Sequence, residues 1–178
     1  EGLTTGKPEE KMGLRASHTV SLSLSDVRVP DSAMLGQEGE GFKIAMNALN
    51  AGRIKIGVAN TAIGKRAFKL GVNYANERIQ FGEKIANFGA IKEKIATMAS
   101  RLYGLESSWN RAGQQIDEVY EELIENGVDK LEAKIKSCAE YAMECAIIKV
   151  YGSEVESFIV DEALQIHGGM GFSGESEI

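Results

Sequence analysis

The sequence predicts a mainly α-helical domain, an up-and-down bundle of long helices preceded by a short β segment. Three observations predict it. Apolar residues recur at helical spacings from Phe42 to Ile166. Stop signals, Asn126-Gly127 and Gly168-Gly169, punctuate those runs. Period-two alternation is confined to "HTVSLSLSDVRVP", ahead of the glycine-rich "GQEGEG".

Taken in order, Val20, Leu22 and Leu24 alternate with Ser21, Ser23 and Ser25, which predicts a half-buried strand. Asp26 interrupts it, and Pro30 ends it after Val27 and Val29. One or two strands do not make a stable sheet alone, so their partners are expected elsewhere, and both ends of the chain look cut. Residues 1 to about 34 read as loop and strand, and the helical pattern follows them. Gly36 to Gly41 form the hinge between them.

The first helix carries Phe42, Leu49, Ile56, Ile63 and Leu70 at seven-residue spacing, which predicts an inward apolar stripe. Ala45, Gly52 and Ala59 are its small companions, and Gly52, Gly57 and Gly64 imply close packing by another helix. The second helix runs from about Phe88, with Ile91, Ile95, Met98, Leu102, Leu105 and Trp109 facing inward and an acidic outer face towards its end. The third starts near Val128-Asp129 and continues unbroken to Gly168, its stripe formed by Leu131, Ile135, Cys138, Ala142, Cys145, Ile148, Val155 and Ile159. A fourth helix is expected after Ile178.

Composition narrows the function. Hydrophobic residues are 43% and charged residues 26% of the chain, the balance of a globular domain. The formal net charge of -6 argues against a broad nucleic-acid surface. No apolar run approaches the roughly 20 residues of a membrane span. Cys138 and Cys145 lie about 10 Å apart along a helix axis, too far to bridge, and read as reduced core residues of an intracellular protein. Metal chemistry has no support: there is no Glu-x-x-His pair, and His18 and His167 lie in different segments without a cysteine cluster. "GGMG" follows a helix and not a strand, so it is no dinucleotide fingerprint.

Three features carry possible chemistry. Arg53, in line with the inward stripe, either snorkels to the surface or holds an anion. Arg78, Gln80, Phe81 and Gly82 make a corner between two helices. It is either a solvated turn or a set of ion-pairing, hydrogen-bonding and stacking groups for a nucleotide. Gln165 with Gly168 and Gly169 gives an amide and open backbone at a helix end, which also reads as a simple helix cap.

"KMGLRASHT", "DVRVP…LGQEGEGFKIAMNALNAGR", "ERIQFGEKIANF" and "QIHGGMGF" occur in that order over nearly the whole chain. Together they resemble the acyl-CoA dehydrogenase family, especially its very-long-chain branch. The resemblance implies the end of the middle β-domain in residues 1–34, followed by most of the C-terminal helical domain, incomplete, in 35–178. It implies a homo-oligomeric FAD enzyme that desaturates fatty acyl-CoA thioesters between the α and β carbons. Electrons would pass to an electron-transfer flavoprotein. The compartment would be the bacterial cytoplasm or the mitochondrial matrix. By position, Arg78 and Phe81 match residues that contact the FAD of the neighbouring subunit, with Gln80 placed to add a hydrogen bond. Gln165, Gly168 and Gly169 match a second segment touching that cofactor, and Arg53 matches an arginine of the acyl-CoA site.

The sequence also departs from the family pattern. Gly52 stands where some branches carry the catalytic glutamate, and other branches carry it beyond the point matching Ile178, so no base is assigned. Gly89 replaces a flavin-contacting glutamine, and the stretch from about Ile116 to Ala133 looks like an insertion. A helical assembly module without chemistry, and an oxidase that hands electrons to oxygen, remain alternatives.

Overall fold

A computed structural model describes residues 1–178, which divide into two units, Glu1–Gly41 and Phe42–Ile178. In the first, β1 (Leu3–Thr5) pairs antiparallel with β2 (Leu22–Leu24), Leu3 facing Leu24 and Thr5 facing Leu22. The strand is therefore shorter than its alternating pattern. Leu22 and Leu24 are exposed, against the expectation of a half-buried strand. Two three-residue strands form no layer with a second face to bury. Asp26 adopts a left-handed backbone, with φ of 50°, where the alternation breaks.

The second unit is built on α1 (Gly41–Glu77), α2 (Gly89–Glu125), α3 (Lys130–Glu140) and α4 (Ala142–His167). A small hairpin, β3 (Ile79–Gln80) with β4 (Glu83–Lys84), joins α1 to α2. Ala67, Ala75, Met98, Leu102, Leu105, Val155, Ile159, Ala163 and Ile166 form a core shared by α1, α2 and α4. The stripe predicted for α2 is the buried one. Lys94 on α2 pairs with Glu162 on α4, and the Arg101 guanidinium lies 3.7 Å from the centre of the Phe158 ring.

The first helix faces the other way from its sequence reading. Phe42 is 78% exposed, and Leu49, Ile56 and Ile63 are exposed as well. The buried line is Gly57, Gly64 and Gly71, with Asn60, Thr61, Ala67 and Ala75. Volume explains the reversal, because α2 and α4 already bring bulky side chains to the seam. A Cβ on Gly57 would lie 2.4 Å from Ile148 Cγ2, and one on Gly64 would lie 3.0 Å from Leu102 Cδ2. Small residues let the helix axes approach, and large ones on that face would overfill the core. The inference of close packing holds at Gly57 and Gly64 but not at Gly52, where a Cβ would meet nothing.

The polar residues on this inward face find partners. Thr61 Oγ1 donates to the Gly57 carbonyl at 2.9 Å and accepts from Trp109 Nε1 at 3.1 Å. The Asn60 amide, oriented to satisfy its neighbours, donates to Glu156 Oε2 at 2.7 Å and accepts from the Ser153 N–H at 2.9 Å. Satisfied in this way, a buried amide and hydroxyl avoid the cost of an unpaired buried group.

The predicted third helix is two helices. Tyr141, with φ of -104° and ψ of 30°, breaks it between α3 and α4. Asp129 caps α3, its Oδ1 accepting the Leu131 N–H at 2.8 Å. Leu131 is exposed, while Ala133 and Ser137 are buried on α3 and Cys145, Ile148, Val155 and Ile159 on α4. Both cysteines are free.

Candidate functional site

A cleft of about 390 Å³ opens where the ends of α1 and α4 meet the β3–β4 hairpin. Arg78, Gln80, Gly168 and Gly169 line it, as do Tyr74, Ile85, Ile166, His167 and Met170. Two segments separated by most of the domain thus come together. Tyr74 lies one helical turn before Arg78, and its carbonyl accepts the Arg78 N–H at 2.8 Å. The Arg78 carbonyl in turn accepts the Ile85 N–H at 2.9 Å, closing the base of the hairpin, and Ile85 is buried. The corner is held by backbone bonds, and the exposed Arg78 guanidinium has no carboxylate partner.

The corner is a β-hairpin and not a simple break between helices. Phe81 and Gly82 have φ of 55° and 86°, both left-handed as a tight two-residue turn requires. Phe81 is 94% exposed, edge-on to Phe88 at 6.2 Å between ring centres, and it lies outside the cleft lining.

The opposite wall comes from the end of α4. Gly168 takes φ of 55° and ψ of -133°, a conformation open essentially to glycine alone. Its N–H donates to the Gln165 carbonyl. A Cβ on either Gly168 or Gly169 would meet nothing within 4 Å, so the backbone here is open to an approaching molecule. The Gln165 side chain is exposed and does not line the cleft.

Sequence reading passed over Tyr74 and His167. Their rings stack at 4.4 Å between centres and 27° between planes. His167 Nδ1 lies 2.8 Å from the Ala163 carbonyl, so that nitrogen carries the proton and donates. The four-residue spacing from Tyr74 to Arg78 was a usable signal, since it puts both on one helical face. The pairing with His167 had none, because it spans 93 positions of chain.

Arg53 stands apart. It is half-buried on α1, and its Nη1 donates to Asn50 Oδ1 at 2.8 Å. Tyr74 is 21 residues further along the same helix, about 32 Å away along the axis. Arg53 therefore belongs to a different location from the cleft. Cys145 lies within its electrostatic reach: burial pushes the Cys145 thiol up, Cys138 and Glu144 add to this, and Arg53 opposes it. Burial likewise raises Cys138, helped by Asp117. Both thiols stay protonated at neutral pH and are poor nucleophiles.

Residues 39–178 match the family model described as acyl-CoA dehydrogenase, C-terminal domain. The chain belongs to the acyl-CoA dehydrogenase family. It is 44% identical over 99% of its length to a probable acyl-CoA dehydrogenase of Bacillus subtilis strain 168, covering 30% of that protein. It is 39% identical over 98% of its length to the mitochondrial very-long-chain-specific acyl-CoA dehydrogenase of Macaca fascicularis, covering 24% of it. The crystal structure of an acyl-CoA dehydrogenase complexed with FAD from Bacillus anthracis superposes with a TM-score of 0.86 at 45% identity. That match covers 99% of this chain and 31% of the other. The chain thus spans between about a quarter and a third of these relatives.

Proposed function

We propose that this chain is the helical part of an FAD-dependent acyl-CoA dehydrogenase, and that its cleft receives the diphosphate end of FAD held mainly by a neighbouring subunit. The observation that carries the reading is the unpaired Arg78 guanidinium sharing one cleft with the open backbone of Gly168 and Gly169.

The donor set fits the group. A planar guanidinium matches phosphate oxygens in a bidentate way, and the Gln80 amide adds a donor beside it. The glycine wall admits close approach because no Cβ stands in front of it. Ile85 and Ile166 give an apolar floor suited to a nucleoside. In this reading Phe81, at the hairpin tip, reaches across to the neighbouring subunit's nucleotide, and Gln165 approaches it from the exposed face of α4.

When bound, FAD supplies the hydride acceptor for α,β-dehydrogenation of a fatty acyl-CoA thioester, with an electron-transfer flavoprotein taking the electrons onward. The residues of this chain bind and orient. None of its carboxylates is assigned as the base that takes the α proton, and Gly52 offers no side chain for it. Arg53, far from the cleft along α1, is assigned to the acyl-CoA substrate, its fork fixed by the Asn50 amide. A site built across subunits makes the working protein a homo-oligomer. We assign such a protein to the cytoplasm if bacterial or to the mitochondrial matrix if eukaryotic, in keeping with its bacterial and mitochondrial relatives.

The test is flavin retention by the holoprotein carrying Arg78→Ala. Loss of a charge-assisted bidentate contact weakens FAD by at least about tenfold. Arg78→Lys recovers part of this, because a point charge replaces the fork. Full flavin occupancy of Arg78→Ala after dilution and gel filtration would refute the assignment.

A further inference from the structure

Two segments wall the cleft, and no hydrogen bond joins them. Arg78 and Gln80 follow the end of α1, and Gly168 and Gly169 follow the end of α4. Below the cleft the two helices touch through small and apolar groups: Gly71 lies against Ala163 and Ile166, with a Cβ-equivalent distance of 3.4 Å to Ala163 Cβ. The last layer of that seam, directly under the opening, is the Tyr74–His167 stack at 4.4 Å.

Each ring is tied to the wall on its own side. The Tyr74 carbonyl accepts the Arg78 N–H, so the position of Tyr74 sets the start of the hairpin. His167 is the final residue of α4 and the residue immediately before the left-handed Gly168. The residue is only 7% exposed, and the bond from Nδ1 to the Ala163 carbonyl orients its ring. A stacked pair whose backbones are both anchored holds the distance between two segments that no hydrogen bond joins.

We propose that Tyr74 and His167 are positioning residues: their stack latches the end of α1 to the end of α4 and sets the spacing between the Arg78 guanidinium and the Gly168–Gly169 backbone. The latch rests on the reading of this cleft as the FAD diphosphate site, but it assigns the pair no contact with the cofactor. It acts through Arg78 and Gly168. The ring face of His167 is the working part: Nδ1 only orients the ring, a role its burial also fills, and Nε2 is dispensable.

The experiment measures the FAD dissociation constant of reconstituted holoprotein by flavin fluorescence, alongside the urea midpoint. The variants are Tyr74→Leu, His167→Leu, the double variant, His167→Phe and the Arg78→Ala control. Each leucine variant weakens FAD about three- to tenfold, as expected from an aromatic pair. The double variant is no weaker than the worse single one, since one interaction is removed in each case. His167→Phe keeps the stack and stays within about twofold of the parent.

Wild-type affinity in both leucine variants, with Arg78→Ala still weakened, overturns the latch and leaves the site standing, even if the urea midpoint falls. An unchanged Arg78→Ala overturns the site itself. Equal losses in His167→Phe and His167→Leu put the requirement on a ring nitrogen and also overturn the latch. Where a leucine variant does not fold, Tyr74→Met, which fills the volume without a ring, carries the same prediction and the same refutation.

Discussion

Phe81 occupies a left-handed backbone position with its side chain 94% exposed, at a turn where asparagine or glycine would be relaxed. A bulky residue there carries roughly 1–2 kcal/mol of backbone strain. The apolar ring recovers little by burial, since its one aromatic neighbour is Phe88. Phe81→Asn therefore stabilises the domain by about 1 kcal/mol, read from the urea midpoint. In the proposed assembly the same change weakens FAD, and that opposition marks a residue retained for contact. A Phe81→Asn protein less stable than its parent would show that the ring supports the fold instead. Arg78 differs: its backbone is anchored at both sides, and its side chain is free of partners, so Arg78→Ala changes ligand retention with little change in stability.

At the scale of the element, α1 and α4 are shaped by close approach. A Cβ added to Gly152 would lie 3.2 Å from Gly57 Cα and 3.3 Å from the Asn60 side-chain amide. Backbone does not yield as a side-chain tip does, so Gly152→Ala destabilises by about 1–3 kcal/mol. Gly113, inside α2, has nothing within 4 Å, and Gly113→Ala stabilises by about 0.5–1 kcal/mol through helix propensity alone. Opposite signs for one substitution in two helices, measured by urea denaturation, test the packing directly; equal signs contradict it.

The same contrast explains what could be read in the chain. The stripe on α2 was legible because its large residues face the core and its charges face out. On α1 the pattern pointed the wrong way, because a heptad of Phe42, Leu49, Ile56 and Ile63 outweighs a heptad of glycines on any hydrophobicity count. Which stripe goes in depends on the volume that α4 brings to the seam, and that is not local information. Tyr141, the break between α3 and α4, carries no Gly or Pro to announce it. Arg78, Gln80, Gly168 and Gly169 were singled out from the sequence as candidates, and one cleft brings them together. Tyr74 and His167 were not, since their stack exists only once the helix ends are adjacent.

At the scale of the molecule, the chain covers a quarter to a third of its relatives and provides one wall of the proposed cofactor site. The net charge of -6 belongs to the whole chain, and the cleft nevertheless keeps an unpaired arginine. A lone cation at the junction of two helix ends suits an anion delivered from outside the domain. In the proposed assembly, flavin binding and subunit association are linked equilibria, each stabilising the other. The most direct test is a crystal structure of the FAD-loaded full-length oligomer. The account predicts the Arg78 guanidinium about 2.7–3.1 Å from a diphosphate oxygen of the FAD held by a neighbouring subunit, with Gly168–Gly169 on the other side of that diphosphate. A hairpin corner turned to solvent, with the diphosphate bound elsewhere, would contradict it.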